Sequence, residues 1–233
     1  MSSLKTKTIH VFQFMGRHLR RFMLLLYLPV YSIIFSMLER RENVNFHIIS
    51  LPIDYKIPFI EIFIIPYVIW FGFVTAGIVI TVFSAKSRDF MLMYIDLVIG
   101  MTIFVIISAV FPNKLDLRPL VMPRDNIFTH MVQGLYSIDT PTNVMPSIHV
   151  YNTIGICFGL GRTDWFKRHK KINAASFIIG FLIIISTVFI KQHGLLDVGL
   201  AILMQAVAVP LLLDDRRNHL AMKFVKWYDS KYA

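Results

Sequence analysis

Long apolar runs separated by short polar connections decide what this chain can fold into. Six such runs lie near 22–38, 59–83, 90–111, 147–161, 173–190 and 195–213. A membrane-spanning helix needs about 20 mainly apolar residues. The second, third and sixth runs reach that length, whereas the fourth, 147–161, is short. Of the 233 residues, 56% are hydrophobic and only 16% are charged. A soluble domain cannot hide that much apolar surface. The expectation is therefore an all-α polytopic membrane protein, a six-transmembrane-helix bundle forming one domain over 1–233. No Ser/Gly-rich linker, low-complexity tract or internal repeat divides it. Pro66 falls inside the second run and is expected to kink that helix.

Charge gives the orientation. Residues 1–21 form a basic arm with Lys5, Lys7, Arg17, Arg20 and Arg21. No small-residue cleavage site follows, so a signal peptide is not indicated. The 162–172 connection carries Arg162, Lys167, Arg168, Lys170 and Lys171 against Asp164, and the tail over 214–233 carries Arg216, Arg217, Lys223, Lys226 and Lys231. With six spans, the arm, the 84–89 connection, the 162–172 connection and the tail share one side, which the positive-inside rule makes cytoplasmic. The net charge of +10 thus reads as topology signalling rather than nucleic-acid binding. The connections at 39–58, 112–146 and 191–194 then face outward. The single cysteine, Cys157, excludes an intramolecular disulfide and a cysteine-rich metal site.

Three polar groups stand at the outward ends of runs: Asn113-Lys114-Leu115-Asp116-Leu117-Arg118-Pro119, Met145-Pro146-Ser147-Ile148-His149-Val150, and Lys191-Gln192-His193-Gly194-Leu195-Leu196-Asp197. His193 and Asp197 are four apart, so on a helix they share a face. A carboxylate there fixes the imidazole tautomer and leaves the other nitrogen free to attack or to ligate. Ser147 is a candidate N-cap, with helix amides beside it suited to an anion. Arg118 offers a bidentate grip on phosphate oxygens, and Lys114 and Lys191 add point charges. Two histidines supply a nucleophile and an acid for a leaving oxygen. No glycine-rich phosphate loop is present.

These groups resemble the tripartite signature of the type 2 phosphatidic acid phosphatase superfamily, KxxxxxxRP, PSGH and SRxxxxxHxxxD. The resemblance covers roughly the last 120 residues. The variant PSIH followed by KQHGLLDV looks closer to the branch that includes inositol phosphorylceramide synthases and their bacterial relatives. It implies a six-helix membrane core and a phosphohistidine mechanism without metal or other cofactor. By resemblance His193 is the nucleophile, Asp197 its partner and His149 the general acid, with Arg118 and Ser147 as phosphate ligands. The chain departs from the pattern at Phe111, where the family has Lys, at Ile148 in place of the PSGH glycine, and at Thr187 in place of the Arg of SRxxxxxH; Ser186 is retained. Lys191 is the candidate replacement for a missing cation, and Lys114 is a second one.

Four functions follow as alternatives. The first is hydrolysis of a lipid phosphate or pyrophosphate at the outer face of the plasma membrane. The second is head-group transfer to an alcohol acceptor. The third is non-catalytic lipid binding or transport. The fourth makes His149, His193 and Asp197 a two-His, one-carboxylate metal site. The expected partners are the membrane and a lipid phosphate, with no nucleic acid and no obligate protein. Asp96 and Glu61, inside runs, are expected to hydrogen-bond within the bundle. Asp116, Asp125 and Asn126 are expected to be solvated loop residues. His10, His18, His47, His130, His169 and His219 are expected at the surface.

Overall fold

The computed structural model describes Leu19 and residues 21–84, 86–213 and 219–232. The basic arm expected over 1–18 and at Arg20, with its His10 and His18, lies outside these residues, as do Arg216 and Arg217 of the tail. Nine helices are described: α1 (Tyr27–Glu39), α2 (Ile64–Ser84), α3 (Ser87–Val110), α4 (Ile127–Ile138), α5 (Ile148–Arg162), α6 (Asp164–Arg168), α7 (Lys170–Phe189), α8 (Leu195–Ala208) and α9 (His219–Tyr232). A π-helical turn, Val209–Leu213, continues α8. Two short strands, β1 (His47–Ile48) and β2 (Asn113–Lys114), pair in parallel, His47 opposite Asn113.

The fold is all-α. Five stretches among the described residues are long and apolar enough to cross a membrane: Arg21–Glu39, Glu61–Phe83, Ser87–Val110, Lys170–Phe189 and Leu195–Leu213. The run expected to form the fourth of six spans is α5. Its 15 residues rise only about 22 Å, against a hydrocarbon core of about 30 Å. It is the central helix, packed by α2, α3, α7 and α8. Val150, Tyr151, Ile156 and Leu160 are all buried there.

Small residues admit this packing, as is general between membrane helices. A Cβ on Gly100 of α3 would lie 2.0 Å from the Tyr151 ring. The ring is pinned, because its hydroxyl donates to Asp96 Oδ1 at 2.9 Å while Gln205 Nε2 donates to Asp96 Oδ2 at 3.0 Å. The buried carboxyl thus joins α3, α5 and α8, in keeping with the internal bonding expected of it. Glu61 likewise accepts two 2.6 Å bonds from Arg124 and one from Asn126.

Pro66 does not kink a span. A 3₁₀ turn, Glu61–Phe63, precedes α2, so Pro66 sits in the first helical turn, where a missing N–H costs little. Arg21 is buried and donates to Thr81 O and Val82 O, with Phe90 under its guanidinium. The same end of the bundle holds the Lys86–Asp164 ion pair at 2.9 Å. The opposite end gathers the tips of α1, α3 and α7 and the starts of α2, α5 and α8. The α4 helix, which periodicity left inside the 112–146 connection, lies at that end. Asn126 opens it by accepting from Phe128 N and Thr129 N, and Thr129 Oγ1 accepts from Asn126 N in return.

Candidate active site

The end of α7 delivers the opening histidine. Gln192 N and His193 N both donate to Thr187 O, and Lys191 N donates to Val188 O. This is a Schellman-type stop, whose turn needs a left-handed residue. Lys191 fills it with φ 55°, at a cost of about 1–2 kcal/mol for a residue other than glycine. The next helix starts at once. Asp197 reaches back to accept from Gly194 N at 2.8 Å, as a carboxylate in the first turn of a helix should. Its other oxygen bonds His193 Nδ1. Asp197 therefore caps its helix and holds the imidazole together.

The second histidine enters from α5. Ser147 is the N-cap, its Oγ accepting from Val150 N, and its own N–H donates to Asp197 O at 3.1 Å. Asn113 Oδ1 accepts from Val144 N and Met145 N, which fixes the approach to that cap. His149 Nδ1 then lies 3.1 Å from His193 Nε2. The far nitrogen, His149 Nε2, lies 2.9 Å from Tyr67 Oη. Trp70 packs its ring 4.3 Å from the imidazole and donates to His149 O.

Around this pair runs a second polar chain. Tyr67 Oη donates to Asp139 Oδ2 at 3.1 Å, and Gln192 Nε2 donates to the same oxygen at 3.2 Å. Arg118 donates to Gln192 Oε1 at 2.5 Å and to Asp139 O at 2.7 Å, with its guanidinium 4.2 Å over the Tyr136 ring. Arg118 Nε is buried without a partner. Burial raises the Asp139 carboxyl above the usual range, partly countered by His193, Tyr67 and Arg118. Burial also lowers the Arg118 pKa, although a guanidinium remains charged.

A cavity of about 490 Å³ opens onto both imidazoles. Its walls are apolar: Tyr31 and Phe35 of α1, Trp70 and Phe71 of α2, Phe104 of α3, Leu135 and Ile138 of α4. Its polar lining includes Asp139, Gln192, Thr140, Thr142 and Asn143. Glu39, at the end of α1, accepts from Thr140, Thr142 and Asn143, which ties α1 to the rim. A mainly apolar hollow with a few convergent polar groups is the usual form of a ligand site.

The structure thus brings His193, His149 and Asp197 into one chain of hydrogen bonds, with Ser147 joined through its backbone and Arg118 through Gln192. Of the two other sequence candidates, Lys191 is engaged elsewhere, and Lys114 takes part in strand pairing beside the cavity rim. Lys191 directs its ammonium to Asp54 O at 2.7 Å and Ile57 O at 2.6 Å. Lys114 lies in β2, paired with Ile48 and bridged to Thr142. Among the described residues, no three His, Cys, Asp or Glu side chains gather as a metal site requires. Tyr67, Trp70, Asp139 and Gln192 were not singled out by sequence. Gln192 had a signal, its place in the polar break beside His193. Asp139 sat in a long polar connection, and Tyr67 and Trp70 lay within an apolar run.

Comparison with protein-family models, curated proteins and solved structures finds no match.

Proposed function

We propose that the protein is an integral membrane enzyme that transfers the phosphoryl group of a lipid phosphate to water through a phosphohistidine. The observation that carries this reading is the Asp197–His193–His149 chain facing an apolar cavity. His193 Nδ1–H is held by Asp197, which leaves the Nε2 lone pair for attack. That lone pair forms the N–P bond while the P–O bond to the lipid breaks. The leaving oxygen takes the bond's electrons and a proton from His149 Nδ1. Water then attacks phosphorus, gives a proton to His149, and the N–P electrons return to His193. The products are alcohol and phosphate.

Geometry sets one requirement. A reacting phosphorus sits roughly 3–3.5 Å from its nucleophile, and the leaving oxygen needs its own hydrogen bond to the acid. The 3.1 Å between the two nitrogens must therefore widen when a phosphoryl group enters.

In this reading α5 is a sixth, shortened crossing that other helices shield from lipid. Both termini are cytoplasmic and the site faces outward at the plasma membrane, because basic residues mark the opposite end. The substrate's tail follows the aromatic wall of α1, α2 and α3.

A second reading is favoured by charge. Two carboxylates, Asp139 and Asp197, stand in the polar chain against one guanidinium, Arg118. That balance suits a phosphodiester with one negative charge better than a dianionic monoester. The enzyme is then a head-group phosphotransferase with an alcohol acceptor, resembling inositol phosphorylceramide synthases.

One experiment tests both. Purified protein is given head-group-labelled phosphodiester lipids and labelled lipid phosphates, with and without an added polyol, beside His193→Ala. Release of phosphate supports the first reading, and label moving to the polyol supports the second. An acid-labile, base-stable phosphorylated intermediate on wild type but not on His193→Ala is expected. Turnover that survives His193→Ala overturns both.

A further inference from the structure

We propose that Tyr67 and Asp139 act as a positioning pair that keeps a proton on His149 Nε2, so that Nδ1 alone exchanges protons with the reacting group. The inference rests on the reading of His149 as the acid.

The argument is a count of protons. The Tyr67 hydroxyl has one proton and two neighbours, Asp139 Oδ2 at 3.1 Å and His149 Nε2 at 2.9 Å. An ionised carboxylate only accepts. If the phenol donates to Asp139, its oxygen must accept from His149 Nε2–H. That arrangement satisfies all three groups. If the phenol instead donates to His149, Asp139 Oδ2 keeps only the 3.2 Å bond from Gln192 Nε2, and a charge-assisted bond, roughly twice as strong as a neutral one, is exchanged for a weaker one. Tyr67 is fully buried, so its hydroxyl has no solvent to serve and its single proton goes to one of these two neighbours.

The consequence falls on the other ring nitrogen. His149 Nδ1 faces His193 Nε2 and the cavity between them. With Nε2–H anchored, Nδ1 alternates between proton and lone pair, as an acid followed by a base must. The two imidazoles then share one plan. His193 anchors Nδ1 on Asp197 directly, and His149 anchors Nε2 on Asp139 through a phenol. The free nitrogens face each other. Trp70, which donates to His149 O and packs on its ring, fixes the plane in which this occurs. The titratable and charged groups facing His149 are Tyr67 from α2, Asp139 from the α4–α5 connection, His193 with Asp197 behind it, and Arg118 through Gln192.

The test uses full-length Tyr67→Phe, Asp139→Asn and His193→Ala proteins. Each is assayed on an alkyl phosphate, whose leaving group needs a proton, and on the nitrophenyl ester of the same phosphate, whose leaving group does not. For the first two variants, kcat on the alkyl substrate should fall by about tenfold to a hundredfold, within what general acid catalysis provides. KM should change little, and the loss on the nitrophenyl ester should be at least about tenfold smaller. Equal losses on both substrates would overturn the proposal. A second arm needs no turnover. Diethyl pyrocarbonate modifies neutral imidazole, so the pH of half-modification of His149 is read by peptide mass spectrometry. It should fall by roughly one unit in both variants, because the carboxylate-backed acceptor favours the protonated ring. An unchanged profile would overturn the pair. Unimpaired turnover of both substrates by His193→Ala would instead sink the phosphohistidine reading, and the modification profile would still judge Tyr67 and Asp139.

Discussion

Lys191 separates two accounts of the site, and Lys191→Met is the perturbation that decides between them. The side chain is only 6% exposed. Its ammonium donates to Asp54 O and Ile57 O, and burial lowers its pKa. The loop it grips is also held by Asp54, whose carboxylate accepts from Leu51 N at 2.8 Å and Leu195 N at 2.9 Å. Leu195 opens α8, so Lys191 secures the loop that secures His193 and Asp197. A hydrogen bond from a charged donor contributes about 1.5–3 kcal/mol. Two such bonds, less the cost of burying the ammonium, leave a net loss of about 2–4 kcal/mol on substitution. Methionine retains the unbranched stem. For a chain of this size each kcal/mol moves the melting temperature by about 2–4 °C, so a fall of roughly 5–15 °C is expected. The assay is thermal unfolding of detergent-purified protein, followed by tryptophan fluorescence, beside steady-state kinetics on the best substrate. KM should stay close to wild type. A melting temperature shifted by less than about 2 °C, together with a tenfold rise in KM, would refute the clamp and restore the phosphate-binding role read from sequence.

Three further outcomes follow from other parts of the fold. The raised Asp139 carboxyl binds its proton more readily in the folded chain than in the unfolded one, so its stabilising contribution is complete below its ordinary value of 3.8 and lost as pH rises through the folded value. Asp139→Asn should therefore gain melting temperature relative to wild type at neutral pH, and the gain should shrink toward zero as melts are run down through that window; a gain that grows on acidification would contradict the sign. Gly100→Ala places a methyl against a ring that Asp96 prevents from moving; overpacking of about 1–3 kcal/mol should lower the melting temperature, and an unchanged melt would show that the α3–α5 contact yields. Asn126→Ala removes the cap of α4 and a donor to Glu61; a loss of about 1 kcal/mol should appear as faster hydrogen exchange at Phe128 and Thr129, with unaltered exchange counting against the cap.

Much of the fold was legible because bilayer solvent leaves few choices. Apolar runs of span length must become helices, since no water is present to satisfy an open backbone. Five runs did so at close to their read limits. The exception is instructive. The run at 147–161 is short, and most of α5 is covered by other helices. Tyr151, Thr153 and Ile156 pack inward, and its start carries Ser147 and His149. Hydropathy reads a helix's environment only where that environment is the bilayer. The α4 helix was missed for a related reason. One face packs Phe128, Val132 and Leu135 on the bundle while Ile127 and Met131 are exposed, so neither a soluble nor a spanning pattern describes it. Its Asn126-x-x-Thr129 capping box was the available signal.

The site was legible to the depth at which one residue constrains the next along the chain. His193 and Asp197 are four apart across the start of α8, His193 just before the Gly194 N-cap and Asp197 in the first turn, so local geometry joins them before any tertiary contact forms. Their meeting with His149 needs α5 beside α8, which position at a common end of the spans already implied. The support for His149 is of another kind. Tyr67 is 82 residues away and Asp139 meets Tyr67 across 72. Neither has a local partner in sequence to mark it. A tyrosine in an apolar run looks the same whether its hydroxyl faces headgroups or a buried histidine. Lys191 shows the converse error. Lys191 stood beside His193 in sequence and looked like a phosphate ligand, yet the left-handed turn that throws His193 toward the cavity also sends the lysine to the 49–58 loop. Gln192 and His193 therefore reach the cavity while their neighbour Lys191, itself the left-handed residue of the helix stop, is bonded away from it. A charge read beside a nucleophile should be assigned to it only after the turn between them has been specified.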